Sequence, residues 1–255
     1  MCRLVDTHAH LDEINTPEEA VSGANSSNVI AIIAVGSDYE SNQTVLHLAR
    51  IYRGFVYPAL GWHPSKLKSS EIDRNLEFIE AHIDNAVGMG EIGLDYHKRI
   101  RATADKELQK YVLREILKIG RTHQKPVIIH SRYAWRDALN LVEEAEIKNA
   151  VFHWYTGPSS VLRDIIRQQY YISATPAVAY HEEHRRAIKE TPLDRLLLET
   201  DTPVVYKRGG ESEYESRPAD LLQALRGVAS IKGTGEAKIA EATTANARRL
   251  FSLPL

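Results

Sequence analysis

Two histidines stand two residues apart in Asp6-Thr7-His8-Ala9-His10, and paired imidazoles at that spacing make a compact metal chelate. In a chain with 11 histidines among 255 residues such a pair is ordinary by itself. It gains meaning from company. Glu91 closes the run Met89-Gly90-Glu91, His130 closes Val127-Ile128-Ile129-His130, and His153 closes Val151-Phe152-His153, while Asp201 follows Leu198-Glu199-Thr200. Each of these residues sits at the end of a β-rich run. Four imidazoles and two carboxylates suit two divalent ions, with Glu91 bridging them and Asp201 placed both to ligate and to take a proton from an activated water. Lys125 precedes its strand and belongs to the opposite rim, so a carboxylated lysine as the bridge is disfavoured.

The elements that must bring these residues together follow from the apolar pattern. Strand centres fall at Val5, Ile32, Tyr57, Val87, Ile128, Phe152, Ile172 and Leu197, mostly within continuous apolar runs, as expected of a parallel sheet covered on both faces. Helical stripes lie between them. Leu108, Val112, Ile116 and Ile119 form one stripe within Asp105–Thr122; Asn42–Arg53 and Pro218–Ser230 carry others. Eight strand–helix alternations predict a single-domain α/β protein, a (β/α)8 TIM barrel spanning 1–255, in which C-terminal strand ends converge on one face. A doubly wound sheet would carry a glycine-rich loop after its first strand, and here that strand runs into histidines. A final helix, Gly235–Leu250, is expected to pack outside the barrel, and Tyr206–Ser216 reads as a surface loop.

The motifs themselves resemble the TatD family of metal-dependent deoxyribonucleases, amidohydrolase-like barrel hydrolases. The resemblance rests on Asp6-Thr7-His8-Ala9-His10-Leu11-Asp12, Gly61-Trp62-His63-Pro64 and Gly90-Glu91-Ile92-Gly93-Leu94-Asp95-Tyr96. It continues through His130-Ser131-Arg132, Glu199-Thr200-Asp201-Thr202-Pro203 and Thr244-x-Asn246-x-x-x-Leu250-Phe251. It implies His8, His10, Glu91, His130, His153 and Asp201 as ligands of two divalent ions (Mg2+, Mn2+ or Zn2+), and a DNA substrate, single-stranded or cleaved from a 3′ end. Two stretches depart from the family pattern. His153-Trp154-Tyr155-Thr156-Gly157 stands where His-Cys-Phe-Ser/Thr-Gly is usual, and Glu215-Ser216-Arg217-Pro218 stands where an Arg-Asn-Glu-Pro-like segment is usual.

The expected reaction is phosphodiester hydrolysis, with Asp201 as general base and Glu91 holding the centre together. The same activated water could attack a carbonyl, so an ester or amide hydrolase, including one acting on aminoacyl-tRNA, is a second expectation. A silent barrel that only binds nucleic acid or metal is a third, opposed by the intact ligand set. His63 is expected to meet a substrate phosphate or serve as a turn residue. Arg132 suits a phosphate or a rim carboxylate, and Trp154 and Tyr155 could stack a base or pack. Asp6 and Glu199 are expected to orient imidazoles or to make polar pairs in the barrel core, Asp95 and Tyr96 to shape the site. His47, His82 and His123 read as solvated or satisfied, and His181 and His184 as a helix start.

Bulk properties bound the partner. Cys2 is the single cysteine, which excludes an internal disulfide framework and suits a reducing compartment, the cytoplasm. No targeting or membrane segment is recognised, and no obligate protein partner is expected. The net charge of −2 argues against tight, sequence-indifferent coating of nucleic acid. Charges fall unevenly, however. Lys66, Lys68, Lys98, Arg99, Arg101, Arg132, Arg136, Lys207 and Arg208 map to the catalytic rim, offset in part by Asp12, Glu13, Glu211 and Glu213.

Overall fold

The structure, a computed structural model, describes residues 3–207, 210 and 212–255; Cys2, Arg208 and Glu211 lie outside the described residues. Strands β1 (Leu4–Ala9), β2 (Val29–Val35), β3 (Val56–Trp62), β4 (Gly88–Gly93), β5 (Val127–His130), β6 (Ala150–Phe152), β7 (Tyr171–Ala174) and β8 (Leu196–Leu198) form one parallel sheet in chain order. The helices are α1 (Pro17–Ser26), α2 (Tyr39–Ile51), α3 (Ile72–His82), α4 (Lys98–Arg101), α5 (Lys106–Thr122), α6 (Trp135–Glu144), α7 (Ser159–Arg167), α8 (Glu182–Glu190), α9 (Leu221–Lys232) and α10 (Glu236–Phe251). This is the expected (β/α)8 barrel.

Local chemistry sets the element ends. Asp38 caps α2 by accepting the Ser41 N–H, and Asp105 caps α5 by accepting the Leu108 N–H, both at 2.9 Å. Gly233, at φ +60°, ends α9 in the left-handed conformation that glycine adopts without cost. β1, β3 and β4 end at Ala9, Trp62 and Gly93, so His8, Trp62 and Glu91 all lie within the sheet.

The seam between β8 and β1 is closed sparsely. One bridge joins Ala9 to Thr202, the Asp201 N–H donates to the His8 carbonyl, and the His10 N–H donates to the Thr202 carbonyl, both at 2.9 Å. Side chains complete it. The Thr7 hydroxyl donates to the Leu198 carbonyl at 3.0 Å. The buried Asp6 carboxylate accepts the Thr200 N–H at 3.0 Å and the Thr200 hydroxyl at 2.6 Å. Asp6 therefore braces the seam. The β1–β2 register shifts between Asp6 and Ala9.

Two expectations are corrected. The last helix does more than cover the outside: Ala247, Leu250 and Phe251 join Val5, Ile33, Ile128, Val151 and Leu197 in a buried cluster at the barrel floor. Gly88 at the start of β4 makes room, since a Cβ there would lie 3.3 Å from the Phe251 ring. An amphipathic stripe specifies that a helix buries one face, and it does not specify which surface receives it. The presumed loop contains a short antiparallel hairpin, β9 (Val205–Tyr206) and β10 (Tyr214–Glu215), anchored by the buried Tyr206, whose hydroxyl donates to the Thr200 carbonyl at 2.6 Å.

Candidate metal centre

The C-terminal strand ends bring the six expected ligand residues to one place. On one side of Glu91, Oε2 lies 3.6 Å from His8 Nε2 and 3.3 Å from His10 Nε2. Asp201 Oδ1 approaches the same two nitrogens at 3.4 and 3.7 Å. On the other side, Glu91 Oε1 lies 2.7 Å from His130 Nδ1 and 2.7 Å from His153 Nε2. One carboxylate thus faces two imidazole groups with separate oxygens.

His63 joins the second group, with Nε2 3.7 Å from Glu91 Oε1 and its ring centroid 4.5 Å from that of His130. From the sequence it is expected to meet substrate or to serve as a turn residue; its position just after β3, level with the other candidate ligands, was the available signal for a place in the cluster. His63, Glu91 and His130 form one triad with metal-ligand spacing, His8, His10 and Glu91 another, and His8, His153 and Asp201 a third.

The donor set fits divalent cations. Around an ion with bonds of about 2.0–2.1 Å in tetrahedral geometry, neighbouring donor atoms stand about 3.3 Å apart. His8 Nε2 and His10 Nε2 are 3.3 Å apart, and His130 Nδ1 and His153 Nε2 are 3.2 Å apart. Nitrogens converge here where ordinary packing would separate them.

Electrostatics agree with that fit. Burial would raise the Glu91 carboxyl, but His63, His153 and His130 around it hold it well below the usual carboxylate range. Burial opposes charge on His10, yet its hydrogen bond to Glu91 and the nearby Asp201 lift it to about 9. Burial instead lowers His63 to about 3. Asp201 is pushed up by burial, against the pull of His8, His153 and His10. A buried anion at Glu91 demands positive charge around it, which protons or metal cations can supply.

Surrounding groups hold this arrangement. Glu199 Oε1 lies 3.5 Å from His153 Nδ1 and accepts the Trp154 N–H at 3.0 Å. Asp95 meets His130 Nε2 at 3.3 Å and takes Arg132 through both oxygens, at 2.6 to 3.1 Å. The Arg132 fork is therefore largely committed to Asp95. Tyr96 hydrogen-bonds Asp137 at 2.7 Å, away from the cluster. The importance of Gly61 was not read from the sequence: a Cβ there would lie 2.4–2.5 Å from the Gly90–Glu91 backbone, so the lack of one lets β3 press against Glu91.

A cavity of about 760 Å3 opens over the cluster, lined by His10, Glu91, His130 and Asp201 and rimmed by Arg132 and Trp154 among others. Tyr155 does not reach it: the ring is fully buried and its hydroxyl donates to the Pro158 carbonyl at 2.9 Å. Base stacking on Tyr155 is thereby corrected to packing. Of the expected rim cations, Lys66 and Arg132 line the cavity, whereas Lys68 pairs with Glu71 and Arg136 with Asp164. His184 is a satisfied core residue, its Nε2 accepting the Thr175 N–H and its Nδ1 donating to the Tyr155 carbonyl, and His181 caps α8.

A parallel eight-stranded barrel with imidazoles and carboxylates gathered at its C-terminal rim defines the class of metal-dependent barrel hydrolases. Within that class the chain belongs to the TatD family: the family model described as TatD related DNase matches residues 5–252. The human deoxyribonuclease TATDN3 is 30% identical over 97% of this chain and 94% of its own length. An uncharacterized metal-dependent hydrolase of Bacillus subtilis, YabD, is 32% identical over 98% and 99% of the two chains. The crystal structure of YjjV, a TatD homologue from Escherichia coli, superposes with a TM-score of 0.89 at 28% identity and covers 99% of both chains. The protein is a metal-dependent hydrolase of deoxyribonuclease type. Among the described residues no helix is long and apolar enough to cross a membrane.

Proposed function

We propose that this protein, as one folded unit in the cytoplasm, hydrolyses DNA phosphodiester bonds at a 3′ strand end through a two-metal centre. The observation that supports this reading is Glu91, whose two carboxylate oxygens face separate groups of imidazoles. His8, His10 and Asp201 would hold one ion, His130 and His153 the other, with His63 beside the second. Divalent ions held there would acidify a water and offset charge on the phosphoryl oxygens.

The chain's own residues supply the rest. Asp201 takes the proton from the attacking water, and its raised affinity for protons suits a base that must hold one. Arg132, fixed by Asp95, keeps part of its guanidinium toward the cavity for a phosphate oxygen. Trp154 lines the same cavity as an apolar wall. Glu199 and Asp95 hold His153 and His130 in orientation.

Metal-depleted protein, reloaded separately with Mg2+, Mn2+ or Zn2+, tests the proposal on single-stranded DNA, a model phosphodiester and aminoacyl-tRNA in parallel. Turnover of DNA from the 3′ end with at least one ion is expected. Absence of phosphodiester turnover with every ion would overturn it, and deacylation alone would assign the site to carbonyl esters.

A further inference from the structure

Arg132 is followed by an aromatic feature that the hydrolytic chemistry does not use. Tyr133 is 59% exposed on the rim of the catalytic cavity, and its hydroxyl makes no hydrogen bond among the described residues. Its backbone, by contrast, is held on both sides. The Arg132 carbonyl accepts the Tyr96 N–H at 2.9 Å, the Arg132 side chain grips Asp95, and the Ala134 N–H donates to the Ser131 carbonyl at 3.1 Å. Tyr133 itself sits at φ +58°, a left-handed conformation that bulky side chains seldom take. His97 stacks loosely on the ring, with centroids 6.3 Å apart, yet most of the side chain stays in solvent. A fixed and strained turn that holds a ring so exposed is the reverse of what packing alone would select.

A second ring backs the first. Trp135 lines the same cavity, and its ring meets Tyr133 edge to face at 5.8 Å and 71°. It is seated against Gly157, where a Cβ would lie 2.5 Å from the indole Cγ. The two rings make a rigid corner, one residue beyond a cation poised for phosphate. A nucleotide has the matching layout, a flat apolar base joined through its sugar to an anionic phosphate.

We propose that Tyr133 and Trp135 form a stacking platform for one nucleobase next to Arg132, which makes them binding residues of this chain outside the hydrolytic machinery. This rests on the phosphodiesterase reading and adds two base-contacting side chains to it. Stacking tolerates any base, so no sequence preference is expected from it.

The test is binding of the full-length, metal-loaded protein to labelled phosphorothioate oligothymidylate, to an abasic oligomer of equal charge, and to blunt duplex. Tyr133→Leu and Trp135→Leu should each weaken the base-bearing single strand about 5- to 100-fold, the range of one lost base–aromatic stack. Tyr133→Phe should retain binding, and the abasic oligomer should bind wild type and the leucine variants alike. Gly157→Ala, which displaces the Trp135 ring without removing it, should reproduce part of the loss. Equal weakening of the base-bearing and abasic oligomers, or none of either, would overturn the platform. A base-dependent loss in a protein that cleaves no phosphodiester would support the platform while overturning the hydrolytic reading.

Discussion

Asp6 and Thr200, 194 residues apart, share two hydrogen bonds across the seam of the barrel, one to the Thr200 N–H and a shorter one of 2.6 Å to its hydroxyl. His8 lies two residues beyond one partner and Asp201 one residue beyond the other. The bond pair thus fixes the spacing between candidate ligands drawn from the first and last strands. Thr200→Val should destabilise the protein by about 1–3 kcal/mol, since it leaves a buried carboxylate oxygen short of a donor. Metal retention should fall by about tenfold as well. Urea unfolding and a competitive chelator titration read the two effects separately.

Asp201→Asn removes the proposed base and leaves the main-chain bond to His8 in place. Hydrolysis should drop at least about 10²-fold, the scale of a lost general base. The thermal midpoint of the metal-free protein should change little. Activity within a few-fold of wild type would assign the proton transfer elsewhere.

His184 provides a pH signature independent of catalysis. Burial lowers it to about 4 from 6.5, so the unfolded chain binds its proton first as pH falls. Its contribution to stability is complete above pH 6.5 and is lost progressively toward pH 4, to a limit of roughly 3 kcal/mol. Denaturant unfolding at pH 7 and pH 5 measures the slope. His184→Gln, which keeps a donor and an acceptor without that titration, should flatten it.

Phe251 closes the barrel floor, at the opposite end from the ligands. Phe251→Ala should cost about 3–5 kcal/mol in chemical denaturation by opening a cavity in that cluster. Metal stoichiometry of the folded fraction should stay as in wild type. A small stability change would mean that the floor relaxes to refill the space.

Strand centres and the candidate ligand residues at strand ends were legible because buried parallel strands leave continuous apolar runs and a barrel aligns their ends. His63 was harder to place. It lies beyond β3 in a turn toward Pro64, and only the packed neighbours reveal that its ring meets His130. Whether Tyr155 stacks or packs was open in the sequence for a backbone reason: Trp154 takes φ +38°, which breaks strand alternation, and the next ring is buried. The floor-plugging role of α10 depended on which surface receives its apolar stripe, information held by the whole barrel. Gly61 was invisible as a site residue because its contribution is a missing atom.

The joining of first strand to last helix also sets an order of assembly. The Thr244 hydroxyl on α10 donates to the Arg3 carbonyl, 241 residues away, and the floor cluster includes both Val5 and Phe251. At about 5–20 residues per second, β1 leaves the ribosome roughly ten to fifty seconds before that helix does. Until β8 and Asp201 emerge, late in that interval, one edge of β1 has no strand beside it, and His8 and His10 lack Asp201. The candidate metal centre is therefore completed late in synthesis, and until then that open edge is the stretch most in need of shielding.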